Sequence, residues 1–188
     1  MMKKGIVFLD RDGVVNIDST EYIKTPDEFR FIPKSPEAVA LLCDNGYEII
    51  LITNQSMIGR KMAAQGTLDA IFKKMVSGIE KAGGRIKDIF FCPHLPNAGC
   101  RCRKPKPGMI LSAVEKHGID LSHAIMIGDS AKDIEAGIRA GCATTILVLT
   151  GNGKTARAEL IQGDIRPSSV AVDLYDAACR IVNKPNPS

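Results

Sequence analysis

The chain has 188 residues, 45% hydrophobic and 5% aromatic, with no Trp and a formal net charge of +4 at pH 7. That length suits one domain with a sizeable aliphatic core, and the mild positive charge suits small anionic molecules without demanding nucleic acid. Nothing apolar reaches membrane-spanning length, and the run after Met1-Met2-Lys3-Lys4 stops at Asp10, too short for the ~7–15-residue core of a secretory signal, so a cytoplasmic protein without a membrane partner is expected.

The first predicted element is a strand over 5–10, where Gly5-Ile6-Val7-Phe8-Leu9 has no polar face and reads as the centre of a parallel sheet. A helix from Pro36 to Gly46 follows, then a strand over 47–53. Leu68, Ile71, Phe72, Met75, Val76 and Ile79 recur at helical spacing, which predicts a helix over 67–82 ending at Gly83-Gly84. Strands over 87–92, 123–128 and 144–149 alternate with helices over 107–118 and 131–141, each with Pro or a small residue near its start and Gly at its stop. Leu174, Ala177, Ala178, Ile181 and Val182 mark a last amphipathic helix, and Lys184 to Ser188 reads as a frayed tail. The alternation predicts an α/β fold, a doubly wound parallel sheet, in one domain spanning 1–188.

A parallel sheet brings strand ends of one polarity to one rim, where ligands bind. Asp10-Arg-Asp12-Gly13 closes the first strand, Thr53-Asn54-Gln55-Ser56 the second and Gly128-Asp129 the fourth. Two carboxylates one residue apart at such a rim can divide nucleophile or metal-ligand work from proton transfer. The hydroxyl, amide and backbone N–H groups after Thr53 suit phosphoryl oxygens. Asp129 and Asp133 can hold a hard cation opposite Asp10, or Asp133 can favour the N-terminus of its helix. Lys104-Pro-Lys106-Pro presents ammonium groups just before another helix. Each segment alone reads equally as a charged turn, a polar loop or a solvated linker. Their convergence on one rim points to a site.

The six cysteines divide into two sets. Cys43, Cys142 and Cys179 stand among apolar or small residues and are expected in the core. Cys92, His94, Cys100 and Cys102 crowd into one segment, and in a reducing compartment suit a closed structural Zn²⁺ site. The pairs are one residue apart, unlike a common zinc ribbon. With Arg101, Arg103, Lys104 and Lys106 nearby, a zinc-stabilised nucleic-acid-binding module is the non-enzyme alternative. It leaves Asp10, Asp12 and Asp129 without a role, and no aromatics interleave the cations for stacking.

The order Asp-x-Asp, Thr-Asn, Lys-Pro-x-Pro and Gly-Asp-x-x-x-Asp, over residues 6–141, resembles the phosphatases of the haloacid dehalogenase superfamily. The resemblance implies that Asp10 is the nucleophile and Asp12 the general acid/base, with Thr53 and Lys104 holding the transferring phosphoryl group. It also implies Mg²⁺ held by Asp10, Asp129 and the backbone carbonyl of Asp12, with Asp133 supporting from behind. The second acid speaks against a dehalogenase, which has no alkoxide to protonate. Residues 13–35 are too few for a cap domain, so a capless enzyme with loops over its site is expected.

Asp-Arg-Asp-Gly-Val-Val-Asn16, Thr-Asn-Gln-Ser56 and the Cys-Pro-His…Cys-x-Cys-Arg-Lys-Pro segment are similar to the branch holding heptose-bisphosphate and histidinol-phosphate phosphatases. Heptose members usually follow Thr-Asn-Gln with Ser-Gly-Ile-x-Arg-Gly. Ser56, Ile58 and Arg60 agree, while Met57 and Lys61 replace the two glycines. The resemblance implies a Mg²⁺-dependent phosphomonoesterase acting on a heptose bisphosphate through an aspartyl phosphate, with histidinol phosphate as the alternative substrate. It would catalyse one cytosolic step in making nucleotide-activated heptose for a bacterial surface polysaccharide. Arg60 and Arg103, then Asn54, Ser56 and Lys106, are expected to contact the substrate. The partner is a small phosphorylated sugar, and the chain a monomer or weak oligomer.

Overall fold

The computed structural model describes residues 4–183, so the expected frayed tail lies outside the described residues. Six parallel strands form one sheet: β1 (Gly5–Leu9), β2 (Tyr47–Asn54), β3 (Asp88–Cys92), β4 (Ile125–Gly128), β5 (Thr144–Val148) and β6 (Ser169–Ala171). Their order is β3-β2-β1-β4-β5-β6. The chain builds outward from β1 to β3, then returns to place β4 on the other side of β1. That reversal opens a crevice beyond the ends of β1 and β4, where a ligand finds room between diverging connections.

Seven α-helices flank the sheet: α1 (Ser35–Asp44), α2 (Ser56–Gly59), α3 (Gln65–Lys81), α4 (Gly108–His117), α5 (Ala131–Ala140), α6 (Gly153–Gln162) and α7 (Leu174–Val182). Alternation along the strands assigns the two faces. Val7, Leu9, Ile49 and Leu51 meet Val39 and Leu42 of α1, Ile71 and Met75 of α3, and Ala177 and Ile181 of α7. Ile6, Phe8, Ile50 and Ile52 face Met109, Ile110 and Ala113 of α4 and Ala136 of α5. Full burial of both faces is what a parallel sheet requires, and it accounts for the unbroken apolar run of β1.

Between β1 and α1 the chain makes a loop with one 3-10 turn at Pro26–Glu28. Val14, Val15, Ile23 and Phe29 anchor it in the core, and Ile17 N–H donates to the Arg30 carbonyl. Among the described residues no helix is long and apolar enough to cross a membrane. Cys43, Cys142 and Cys179 are half-buried at the margins of the core rather than within it.

Candidate active site

Asp10 leaves β1 with its N–H bonded to the Ile127 carbonyl of β4 at 3.0 Å, which fixes it at the crevice. Asp129 follows β4, and Asp133 lies in the first turn of α5. Oxygens of these three buried carboxylates lie within 4.8 Å of one another. Lys104 reaches them from the segment before α4, its Nζ 2.8 Å from Asp10 Oδ1 and 2.5 Å from Asp133 Oδ1. The same ammonium donates to the Ile52 carbonyl at 2.8 Å. Asn54 holds the lysine's backbone by accepting from Lys104 N–H at 3.2 Å and donating to its carbonyl at 3.3 Å. Thr53 is buried beside it, so residues expected at the phosphoryl group come together from the ends of β1, β2 and β4 and from the segment before α4.

Three carboxylates around one ammonium leave an excess of negative charge. Burial first, then the Asp133 charge, pushes Asp10 up to about 7, with Lys104 opposing. Burial and the charges of Asp10 and Asp133 push Asp129 up to about 8. Burial disfavours charge on Lys104 too, but the two carboxylates outweigh it and raise its pKa. An all-oxygen donor set with surplus negative charge fits a hard dication such as Mg²⁺, which would offset that surplus. Asp133 is otherwise engaged, since its Oδ2 accepts from Ser130 N–H at 3.0 Å and Ser130 Oγ at 2.6 Å. It therefore stands behind Lys104. Gly13 and Gly151, both at positive φ, flank the Asp129 carboxylate so closely that a Cβ on either would overlap Asp129 Oδ2. Small residues there leave the carboxylate its room.

Asp12 is set apart from this cluster. Its Oδ1 accepts from Arg11 Nε at 3.0 Å, Arg11 Nη2 at 2.6 Å and Asn16 Nδ2 at 2.9 Å, and its Oδ2 from Gln55 Nε2 at 2.8 Å. Gln55 Nε2 also donates to Thr53 Oγ1 at 2.9 Å, tying the β1 and β2 loops together. Asn152 N–H donates to Asp129 Oδ2 at 2.8 Å, and Thr150 Oγ1 to the Gly13 carbonyl at 2.6 Å. Thr150 and Asn152 stand outside the sequence motifs, and Arg11, Asn16 and Gln55 lie within them without an assigned role. The exit of β5 beside β4 is the signal that could have found Thr150 and Asn152.

Of the residues expected at a substrate, Ser56 is buried and Arg60 exposed, with the Arg60 guanidinium 6.0 Å from the Tyr22 ring centre. A hydrogen bond with Ser56, then one with Arg60 and the charges of Arg60 and Arg103, lowers the Tyr22 phenol against the opposing effect of burial. Tyr22 thus joins Ser56, Arg60 and Arg103 in one polar patch. Arg103 Nη1 also donates to the His94 carbonyl at 3.2 Å. Lys106 is engaged elsewhere than expected: its Nζ bonds to the carbonyls of Gly99 at 3.2 Å and Cys100 at 2.7 Å.

The Cys/His segment closes into a second cluster. Cys92 Sγ lies 3.7 Å from Cys100 Sγ and 3.2 Å from Cys102 Sγ, while His94 Nδ1 lies 3.5 Å from Cys92 Sγ and 3.3 Å from Cys102 Sγ. A tetrahedron with Zn–S bonds of ~2.3 Å has S···S edges of about 3.8 Å. All four cysteine and histidine donors therefore fit one zinc ion, and all three thiols are free of disulfides. Burial opposes ionisation of Cys100, but the Arg103 N–H and the neighbouring thiols outweigh it and bring that thiol down to about 7. Burial and the neighbouring Cys92 and Cys100 thiols push Cys102 up to about 12. Zinc would draw all three thiols to thiolate. The loop is braced by Gln55 N–H on the Cys92 carbonyl at 2.7 Å and Gly59 N–H on the Pro93 carbonyl at 3.0 Å.

Residues 101–177 match the hydrolase-like family described as HAD-hyrolase-like. The D-glycero-beta-D-manno-heptose-1,7-bisphosphate 7-phosphatase of Bordetella bronchiseptica is 43% identical over 154 residues, 82% of this chain and 86% of that protein. The enzyme of the same name from Pseudomonas aeruginosa is 43% identical over 152 residues, covering 81% and 85%. The crystal structure of D,D-heptose 1.7-bisphosphate phosphatase from B. bronchiseptica, complexed with magnesium and phosphate, superposes with a TM-score of 0.91 at 39% identity, over 98% of this chain and all of that one.

Proposed function

Because the chain belongs to the D-glycero-D-manno-heptose-1,7-bisphosphate 7-phosphatases, a family of haloacid dehalogenase-like hydrolases, we propose that it removes the 7-phosphate of this sugar bisphosphate, with the residue roles that follow. The observation that carries the reading is the buried set of Asp10, Asp129 and Asp133 around Lys104 at the crevice between β1 and β4.

Phosphate monoesters hydrolyse so slowly that rate accelerations reach ~10²¹-fold, more than one group supplies. Asp10 attacks phosphorus, forming an acyl phosphate as the bond to the sugar oxygen breaks. Asp12 gives that oxygen its proton, so the sugar leaves as an alcohol. Asp12 then takes a proton from water, which attacks the acyl phosphate and releases inorganic phosphate and free Asp10. Lys104 and Thr53 hold the phosphoryl oxygens through both displacements. Asp10, Asp129 and the Asp12 carbonyl would hold Mg²⁺, which neutralises phosphoryl charge when bound. Asp133 keeps Lys104 aimed at Asp10.

Arg60 and Arg103 bind the distal phosphate or the sugar hydroxyls, with Asn54 and Ser56 beside them. The described loops serve as the only cover, in one capless domain that is monomeric or weakly oligomeric. The enzyme works in the cytoplasm on a small phosphorylated sugar, with no nucleic-acid or membrane partner. Steady-state kinetics in Mg²⁺ test the reading. The bisphosphate should exceed histidinol phosphate in kcat/KM by at least ~10²-fold, since a substrate lacking the remote anion cannot use that contact to orient its reacting centre. Asp10→Asn should abolish turnover of both. A preference for histidinol phosphate, or an active Asp10→Asn variant, contradicts it.

A further inference from the structure

Among the described residues Arg11 is the largest fully buried side chain, 1% exposed, yet it lies between two carboxylates in sequence and has no part in the mechanism above. Its guanidinium forks onto one oxygen of Asp12 through Nε and Nη2. Its plane sits 5.8 Å from the Phe72 ring centre. The third nitrogen, Nη1, is buried without a hydrogen-bond partner among the described residues. Leaving a buried donor unmade costs roughly 1–3 kcal/mol, and an apolar side chain of similar volume would fill the same space without that cost. Packing alone does not account for an arginine here.

We propose that Arg11 is a positioning residue that fixes the Asp12 carboxylate for proton transfer, an assignment that rests on the phosphatase reading above. The geometry is specific. Asp12 hangs from the short connection after β1, and its side chain is 21% exposed. Packing by itself would leave it free to turn. The two-pronged fork, fixed in turn by burial against α3, restricts that freedom, while Asn16 Nδ2 donates to the same oxygen and Gln55 Nε2 to the other. A lysine at position 11 would offer a point charge without the planar fork. Among the described residues the Arg11 side chain makes no hydrogen bond or ion pair with Asp10 or Lys104, and its influence passes through Asp12.

General acid catalysis matters in proportion to how poor the leaving group is. Displacing Asp12 should therefore slow the transfer from an alkyl phosphate far more than from an aryl phosphate, whose leaving group departs without help. The test measures kcat/KM of the wild type, Arg11→Met, Asp12→Asn and the double variant on an alkyl phosphate and on p-nitrophenyl phosphate, all in Mg²⁺. Arg11→Met should lose about 10²-fold on the alkyl ester, within the range general acid–base catalysis supplies, and less than tenfold on the aryl ester. The double variant should be no slower than Asp12→Asn alone, because one pathway is removed only once. Equal losses on both esters, or losses that multiply in the double variant, overturn the proposal by assigning Arg11 a general structural role. Arg11→Lys keeps the charge and most of the volume, so it gives the answer if the Met variant does not fold: a smaller loss, again confined to the alkyl ester, supports the proposal, and a uniform loss overturns it. The alkyl ester is D-glycero-D-manno-heptose 1,7-bisphosphate itself, so a wild type inactive on it overturns the phosphatase reading, and is thereby told apart from a failure of Arg11.

Discussion

The carboxylates around Lys104 carry a cost that a cation would remove. Asp10 and Asp129, raised to about 7 and about 8, hold their protons more tightly than the same side chains in an unfolded chain. The folded state then binds more protons than the unfolded state, so in metal-free protein stability from these groups falls as pH rises from the ordinary carboxylate range through both values. Mg²⁺ must displace those protons to reach the oxygens. Its apparent affinity should therefore climb with pH, by up to ~10-fold per unit for each proton displaced, and level off above about pH 8. Titrations of Mg²⁺ followed by thermal unfolding between pH 5.5 and 8.5 check this, and a Mg²⁺ affinity independent of pH would place the cation away from Asp10 and Asp129.

At the scale of elements, the loop between β3 and α4 does the positioning. Lys104 comes two residues after Cys102, and its side chain must reach the carbonyl of Ile52 and the carboxylate of Asp10 at once. Zinc across Cys92, His94, Cys100 and Cys102 would fix the start of that reach, with Lys106 tethering the carbonyls of Gly99 and Cys100. Cys100→Ser should lower bound zinc and reduce kcat/KM by about ten- to a hundredfold, as expected when a supporting metal shell is disturbed. Its residual activity should stay above that of Asp10→Asn, since the nucleophile is intact. Elemental analysis alongside kinetics decides it, and unchanged activity in zinc-free protein would separate the loop from the site. The neighbouring β2–α3 connection shows how local sequence is absorbed. Met57, in place of a family glycine, is fully buried in the core, while Lys61 takes φ +58, the left-handed conformation that glycine adopts most freely.

Across the whole molecule, strand-end chemistry was legible because a parallel sheet collects its exits on one rim. Asp10, Thr53, Asp129 and Asp133 needed only the correct strands to be placed together, and the long apolar or amphipathic segments made those strands and the main helices clear. The elements that escaped are those with little periodic signal. β6 has three residues, α2 has four, and α6 buries only Gly153, Ala156 and Leu160, too sparse a stripe to read. Arg11, Gln55 and Asn152 escaped for a different reason: their roles depend on where a side chain turns, which spacing does not record. Lys106 shows the converse, a cation beside the site whose ammonium turns to the Cys/His loop. The central claim is hydrolysis at the 7-position with the other phosphate retained. Phosphorus NMR of D-glycero-D-manno-heptose 1,7-bisphosphate incubated with the enzyme and Mg²⁺ tests it most directly. The account predicts growth of inorganic phosphate at the expense of the 7-phosphate signal while the anomeric phosphate persists, and release of the anomeric phosphate instead would contradict it.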